Sequence, residues 1–120
     1  MNQENRLSKD VRECAKRMTG SREWAENLAP SDEMKSHARK LMIGAPAFND
    51  LTEAVQHALS KDEWGMVYAQ WGDNPQEFRV VFSNFEVPVF AGYRIVVPNT
   101  MLDVALEDLT GLDTDTIEEI

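Results

Sequence analysis

A chain of 120 residues with 42% hydrophobic and 28% charged content has the length and composition of one folded domain, which excludes wholesale disorder. Its single cysteine excludes an internal disulfide, and no apolar run reaches the roughly 18 residues of a membrane span, so the expected location is a cytoplasm, bacterial or that of a host cell. The net charge of −9 is uneven: residues 1–40 hold nine basic and seven acidic residues, whereas residues 41–120 hold three and fourteen.

Leu7, Val11, Cys14 and Met18 recur at helical spacing with Arg and Lys between them. Ser8 or Asn5 can cap this first helix and Gly20 ends it. A short second helix opens at Ser21, carries Trp24 and Leu28, and stops before Pro30. Ser31 is placed to cap a third, with Asp32 and Glu33 in its positive first turn. Met34, Ala38, Leu41 and Met42 form its apolar face, opposite Lys35, Arg39 and Lys40, and Gly44 breaks it. A fourth helix is expected from Pro46 to about Leu59, with Phe48, Leu51, Val55 and Leu59 as its stripe.

After Ser60 and Glu63, a pair spaced like a capping box, the period changes. Met66–Trp71 and Glu77–Ser83 read as strands joined by the turn Gly72-Asp73-Asn74-Pro75. Alternation puts Phe78, Val80 and Phe82 on one face. Phe85–Phe90 is a further β-prone piece that Pro88 confines to an edge or a bend. Tyr93–Val97 is the last strand. Thr100 can cap a final helix whose apolar face is Met101, Leu102, Ala105, Leu106 and Leu109, followed by an acidic tail over 112–120. The expected fold is α+β in a single domain spanning 1–120. It has about four N-terminal helices over 1–60, an antiparallel sheet of three to four strands over 64–98, and one C-terminal helix over 99–111.

Motifs for chemistry are missing. His37 and His57 with Cys14 give three N or S ligands, one short of a structural zinc set, and Asp113-Thr-Asp115 begins like a calcium loop but lacks its glycine. Phosphate-binding glycine patterns and a nucleophile elbow are absent. Cys14 sits on an apolar stripe as an inert thiol, and His57 lies between Glu53 and Lys61 on a surface row. No cofactor, no metal and no enzymatic activity are therefore expected.

What remains is charge and aromatic content. Acids outnumber bases so strongly after residue 41 that direct nucleic-acid binding through this half is disfavoured and a basic protein partner is favoured. The expected partner-binding residues are Asp103, Glu107, Asp108, Asp113 and Asp115, with Trp71 as an aromatic anchor. The alternative is a small anionic ligand held by Arg79, Arg94 and Tyr68, although Arg79 and Arg94 also suit pairing with Glu77 and Glu86. Homo-oligomerisation is a further alternative, the basic helices of one chain meeting the acidic end of another. Size, acidity and missing catalytic motifs resemble those of many small phage-encoded inhibitors, immunity proteins and antitoxins, an analogy of composition that implies an inhibitor or adaptor, with a nucleic-acid mimic as one form of it.

Overall fold

The computed structural model describes residues 7–19, 24, 27–61, 64–72, 75–82 and 86–110. In chain order these hold α1 (Lys9–Thr19), α2 (Asp32–Gly44), the two-residue strand β1 (Ala47–Phe48), α3 (Leu51–Ser60), β2 (Met66–Gln70), β3 (Phe78–Val81), the one-turn helix α4 (Glu86–Val89), β4 (Tyr93–Val97) and α5 (Leu102–Thr110). The strands make one antiparallel sheet in the order β1-β3-β2-β4. Helix and sheet are mixed as expected. No helix among the described residues is long and apolar enough to cross a membrane.

Local chemistry sets the helix starts. Ser8 Oγ accepts from the Val11 N–H (3.3 Å), Ser31 Oγ from the Met34 N–H (3.2 Å) and Asp50 Oδ1 from the Thr52 N–H (2.9 Å). Each serves an amide that the helix itself leaves without an acceptor.

Three elements differ from the sequence reading. The helix expected from Pro46 begins instead at Leu51, because Asp50 is the better cap and the residues before it have a sheet partner. Ala47 and Phe48 pair with Arg79 and Phe78, and the Pro46 carbonyl accepts from the Val80 N–H at 3.3 Å. The β-prone piece around Pro88 forms a helical turn, Glu86–Val89, closed by the Phe90 N–H donating to the Glu86 carbonyl at 3.3 Å. Pro88 lies within the first turn, where its missing N–H costs nothing. Thr100 does not cap the last helix; the chain enters α5 through a 3-10 turn over Asn99–Met101, in which the Met101 N–H donates to the Pro98 carbonyl at 3.0 Å. Two side-chain placements also change: Met34 is exposed, and Cys14 is half-buried because α1 turns Ala15 into the core. Most of the predicted second helix, Glu63, Phe85 and the tail beyond Thr110 lie outside the described residues.

Met66, Val67, Tyr68 and Ala69 of β2 are all buried, so the centre of the sheet is covered on both faces. On one face Val67, Ala69, Phe78, Val80 and Val96 pack against Leu51, Val55 and Ala58 of α3 and Leu102, Ala105 and Leu109 of α5. On the other, Met66, Tyr68, Val81 and Ile95 pack against Met42 of α2 and Ala15 of α1. Helix α1 reaches both clusters, Val11 in the first and Ala15 in the second, and packs along β4. It thereby shields an edge strand that would otherwise offer unpaired backbone groups. A bulge between β2 and β4 opposite Val67/Tyr68 brings the neighbours Val96 and Val97 into the same cluster.

Among the described glycines, Gly65, at the entrance to β2, is the one whose backbone lies against the core. A Cβ there would lie 2.6 Å from Cε1 of Phe82, whose ring packs on the core. Gly65→Ala is expected to cost about 1–3 kcal/mol in urea unfolding. Gly44→Ala, whose Cβ meets nothing within 4 Å, is expected to stay within about 0.5 kcal/mol of wild type.

Candidate functional site

Helices α3 and α5 lie side by side on one face of the sheet. Helix α5 buries Leu102, Ala105 and Leu109, and that spacing turns Asp103, Val104 and Glu107 outward. Helix α3 buries Leu51, Ala54, Val55 and Ala58 and turns Glu53 and Gln56 outward. Together the two helices carry four acids, Glu53, Asp103, Glu107 and Asp108, and no Lys or Arg.

The acids of α5 are not equivalent. Asp103 occupies the first turn, where negative charge is favourable. Glu107 sits in the last turn, which holds no base, so its charge opposes the helix dipole. Asp108 is half-buried, and its Oδ2 accepts from the backbone N–H of Ser8 at 2.7 Å. It ties the start of α1 to α5, a charge-assisted bond between residues 100 apart in the chain. Asp113 and Asp115 lie outside the described residues.

The opposite side of the molecule has the other sign. Helix α2, packed on the Tyr68 face, exposes Lys35, Arg39 and Lys40, with its acids confined to its first turn at Asp32 and Glu33. Its last turn contains no base. Arg79 of β3 supplies one: Nη1 donates to the carbonyls of Met42 (2.7 Å), Ile43 (3.3 Å) and Ala45 (3.2 Å). A cation is favourable at this negative helix end, where the Met42 carbonyl also accepts from the Ala45 N–H at 3.2 Å. Glu77 Oε1 holds the other side of the guanidinium, 3.0 Å from Nε and 2.8 Å from Nη2, the pairing expected from the sequence.

The register separates the residues of the anionic-ligand alternative. Arg79 pairs with Tyr68 and shares its face, whereas Arg94 pairs with Ala69 and lies on the other. Arg94 Nη2 is 3.5 Å from the Gly72 carbonyl. Tyr68 is fully buried; its hydroxyl donates to the weak acceptor Met66 Sδ at 3.6 Å, and burial pushes the phenol pKa well up. Trp71 follows β2, half-buried, with its backbone N–H on the Gly92 carbonyl at 3.2 Å and its Nε1 buried without a partner among the described residues. The start of α5 lies beyond the other end of β4, so Trp71 does not join Asp103.

Among the described residues, the ring that does face solvent is Trp64, 57% exposed. His57 is half-buried with its ring centroid 5.2 Å from that of Phe48. Among the described residues no three His, Cys, Asp or Glu side chains are grouped to hold a metal ion. No protein-family model, no curated protein and no solved structure matches this chain.

Sequence reasoning passed over the tie through Asp108 and the exposed Ile43 and Val104. No local signal marks the first, since its partner amide is 100 residues away. The helical periods of α2 and α5 do mark the others, because both residues fall on the charged faces.

The two kinds of acid on α5 are separable by stability. Asp108→Ala is expected to lower it by about 1–3 kcal/mol in chemical denaturation, because the Ser8 amide loses a charged acceptor. Asp103→Ala is expected to stay within about 0.5 kcal/mol of wild type.

Proposed function

We propose that this protein is a small acidic interaction module that binds a basic partner protein through the outer face of α3 and α5, as an inhibitor that occludes the partner or an adaptor that recruits it. The observation that carries this reading is the composition of that face. Two adjacent helices present Glu53, Asp103 and Glu107 with no Lys or Arg on either, while the Lys and Arg side chains of α2 lie across the sheet. A surface of one sign steers a partner of the other sign and excludes like-charged ones.

The placement of Glu107 supports the same reading. A carboxylate in the last turn of a helix without a compensating base is locally unfavourable. Acids held against the helix dipole fit a surface shaped by recognition more than by stability. A partner that ordinarily binds phosphate would find in this face a competing set of negative charges. An inhibitor of a nucleic-acid-binding protein, of the kind a phage encodes against a host system, is one such role; an immunity protein or antitoxin masking a basic toxin is another.

The test separates binding from folding. Glu107→Gln is expected to stabilise the protein by about 0.3–0.5 kcal/mol, because it removes the unfavourable charge. In a pull-down from the native host, Asp103→Lys combined with Glu107→Lys is expected to lower partner retention at least about tenfold, with the remaining binding less sensitive to salt. Retention equal to wild type would remove the acidic face from the binding site.

A further inference from the structure

Among the described residues, the apolar side chain most exposed to solvent is Ile43, 75% exposed, in the last turn of α2. At 100° per residue, it is turned about 100° from the buried Met42 and about 140° from the buried Ala38, and lies between the exposed Arg39 and Lys40. Nothing in the core asks for an isoleucine there. An apolar side chain rimmed by two cations has the make-up of the centre and rim of a small protein interface.

The acidic face has the matching pattern. Val104, 39% exposed, lies on α5 beside the exposed Asp103 and Glu107. One side of this chain therefore presents an aliphatic side chain next to two cations, and the other presents an aliphatic side chain next to two carboxylates. The sheet separates them, α2 packing on the Tyr68 face and α5 on the Val80 face.

We infer that these two faces bind each other between copies of the chain, Ile43 of one molecule against Val104 of the next, with Arg39 and Lys40 opposite Asp103 and Glu107. The inference shares with the proposed function its reading of the acidic face as a binding surface, and it names a second copy of this chain as an occupant when the basic partner is absent.

The geometry fixes the kind of assembly. The two surfaces are different and lie on opposite sides of the sheet, so the contact is heterologous. Each molecule that docks leaves one free face of each kind, and assembly proceeds to open chains or a ring, not to a closed twofold dimer. The net charge of −9 opposes it at long range. Near physiological salt the screening length is about 8 Å, which damps the repulsion between whole molecules more than the attraction between groups in contact. Assembly is therefore expected at ~0.15 M salt and is expected to weaken towards ~1 M, as the contact pairs are screened in turn. A basic partner bound to α5 displaces the second copy, so self-association and partner binding exclude one another.

Sedimentation velocity on the full chain tests this with two variants changed only at exposed positions, Arg39→Gln/Lys40→Gln and Asp103→Asn/Glu107→Gln, with circular dichroism confirming that each is folded. Wild type at ~0.15 M salt is expected to gain mean mass with concentration and to return towards monomer at ~1 M. Each variant alone is expected to remain monomeric, because each lacks one half of the contact. An equimolar mixture of the two is expected to form a one-to-one dimer and nothing larger, since it contains one intact face of each kind. A wild type that stays monomeric throughout would overturn the inference, as would association that either variant retains or a mixture that stays monomeric. The outcomes also separate the two proposals. Monomeric wild type with a pull-down that still depends on Asp103 and Glu107 removes the inference alone. Self-association that behaves as described, with a pull-down indifferent to those residues, removes the proposed function alone.

Discussion

The burial of β2 on both faces is the constraint from which the rest of the architecture follows. Four successive residues, Met66–Ala69, are buried, so the sheet cannot be a two-layer structure with one wet side. Helices must cover both faces. Helices α3 and α5 do so on the side of Val67 and Val80, and α2 with the C-terminal half of α1 on the side of Tyr68 and Ile95. Between the layers α1 passes the outer edge of β4, fixed at its start by the bond from the Ser8 amide to Asp108. At the other edge, β1 is only two residues long, and a short edge strand offers little template for pairing with other chains.

With both faces of the sheet apolar, charge is driven to the outer surfaces of the helices, and there it divides by layer. The uneven distribution along the chain becomes an uneven distribution in space because α2 belongs to the basic N-terminal segment and α3 and α5 to the acidic remainder. Arg79 is the exception that shows how the layers are joined. A base in an acidic segment, it reaches from β3 to the carbonyl end of α2 and fastens that helix to the sheet. Its side chain is 18% exposed while Glu77 is 46% exposed, so the part-buried bonds to the Met42 and Ala45 carbonyls hold the helix more than the ion pair does.

Much of this was legible in the sequence, for physical reasons that differ from element to element. The caps Ser8 and Ser31, the strand Tyr93–Val97 and the shared face of Phe78, Val80 and Phe82 follow from short-range chemistry and period, and the structure has them where that chemistry puts them. What was hidden depends on distant partners. Ala47 and Phe48 look helical until β3 is available to pair with them. Glu86–Val89 carries β-prone valines, yet a single turn packed against α2 buries Pro88 and Val89. Asp108 reads as one acid among several until Ser8 stands 2.7 Å away. Trp71 reads as an aromatic anchor and Tyr68 as a ligand contact only while one face of β2 is taken to be open; with both faces covered, Tyr68 is buried and Trp71 half-buried.

Tyr68 reports on the central constraint, because its phenol is buried where both layers close on β2. Burial raises its pKa above the ordinary value near 10. Above that pH the unfolded chain releases the proton and the folded chain keeps it, so stability attributable to this group is full below about pH 10 and falls as pH rises beyond it. The decisive measurement is a tyrosinate absorbance titration of wild type against Tyr68→Phe, with circular dichroism followed in parallel. The two-sided sheet predicts that the tyrosinate signal of Tyr68 appears only as the fold is lost. Ionisation of Tyr68 near pH 10 with the fold intact would contradict it.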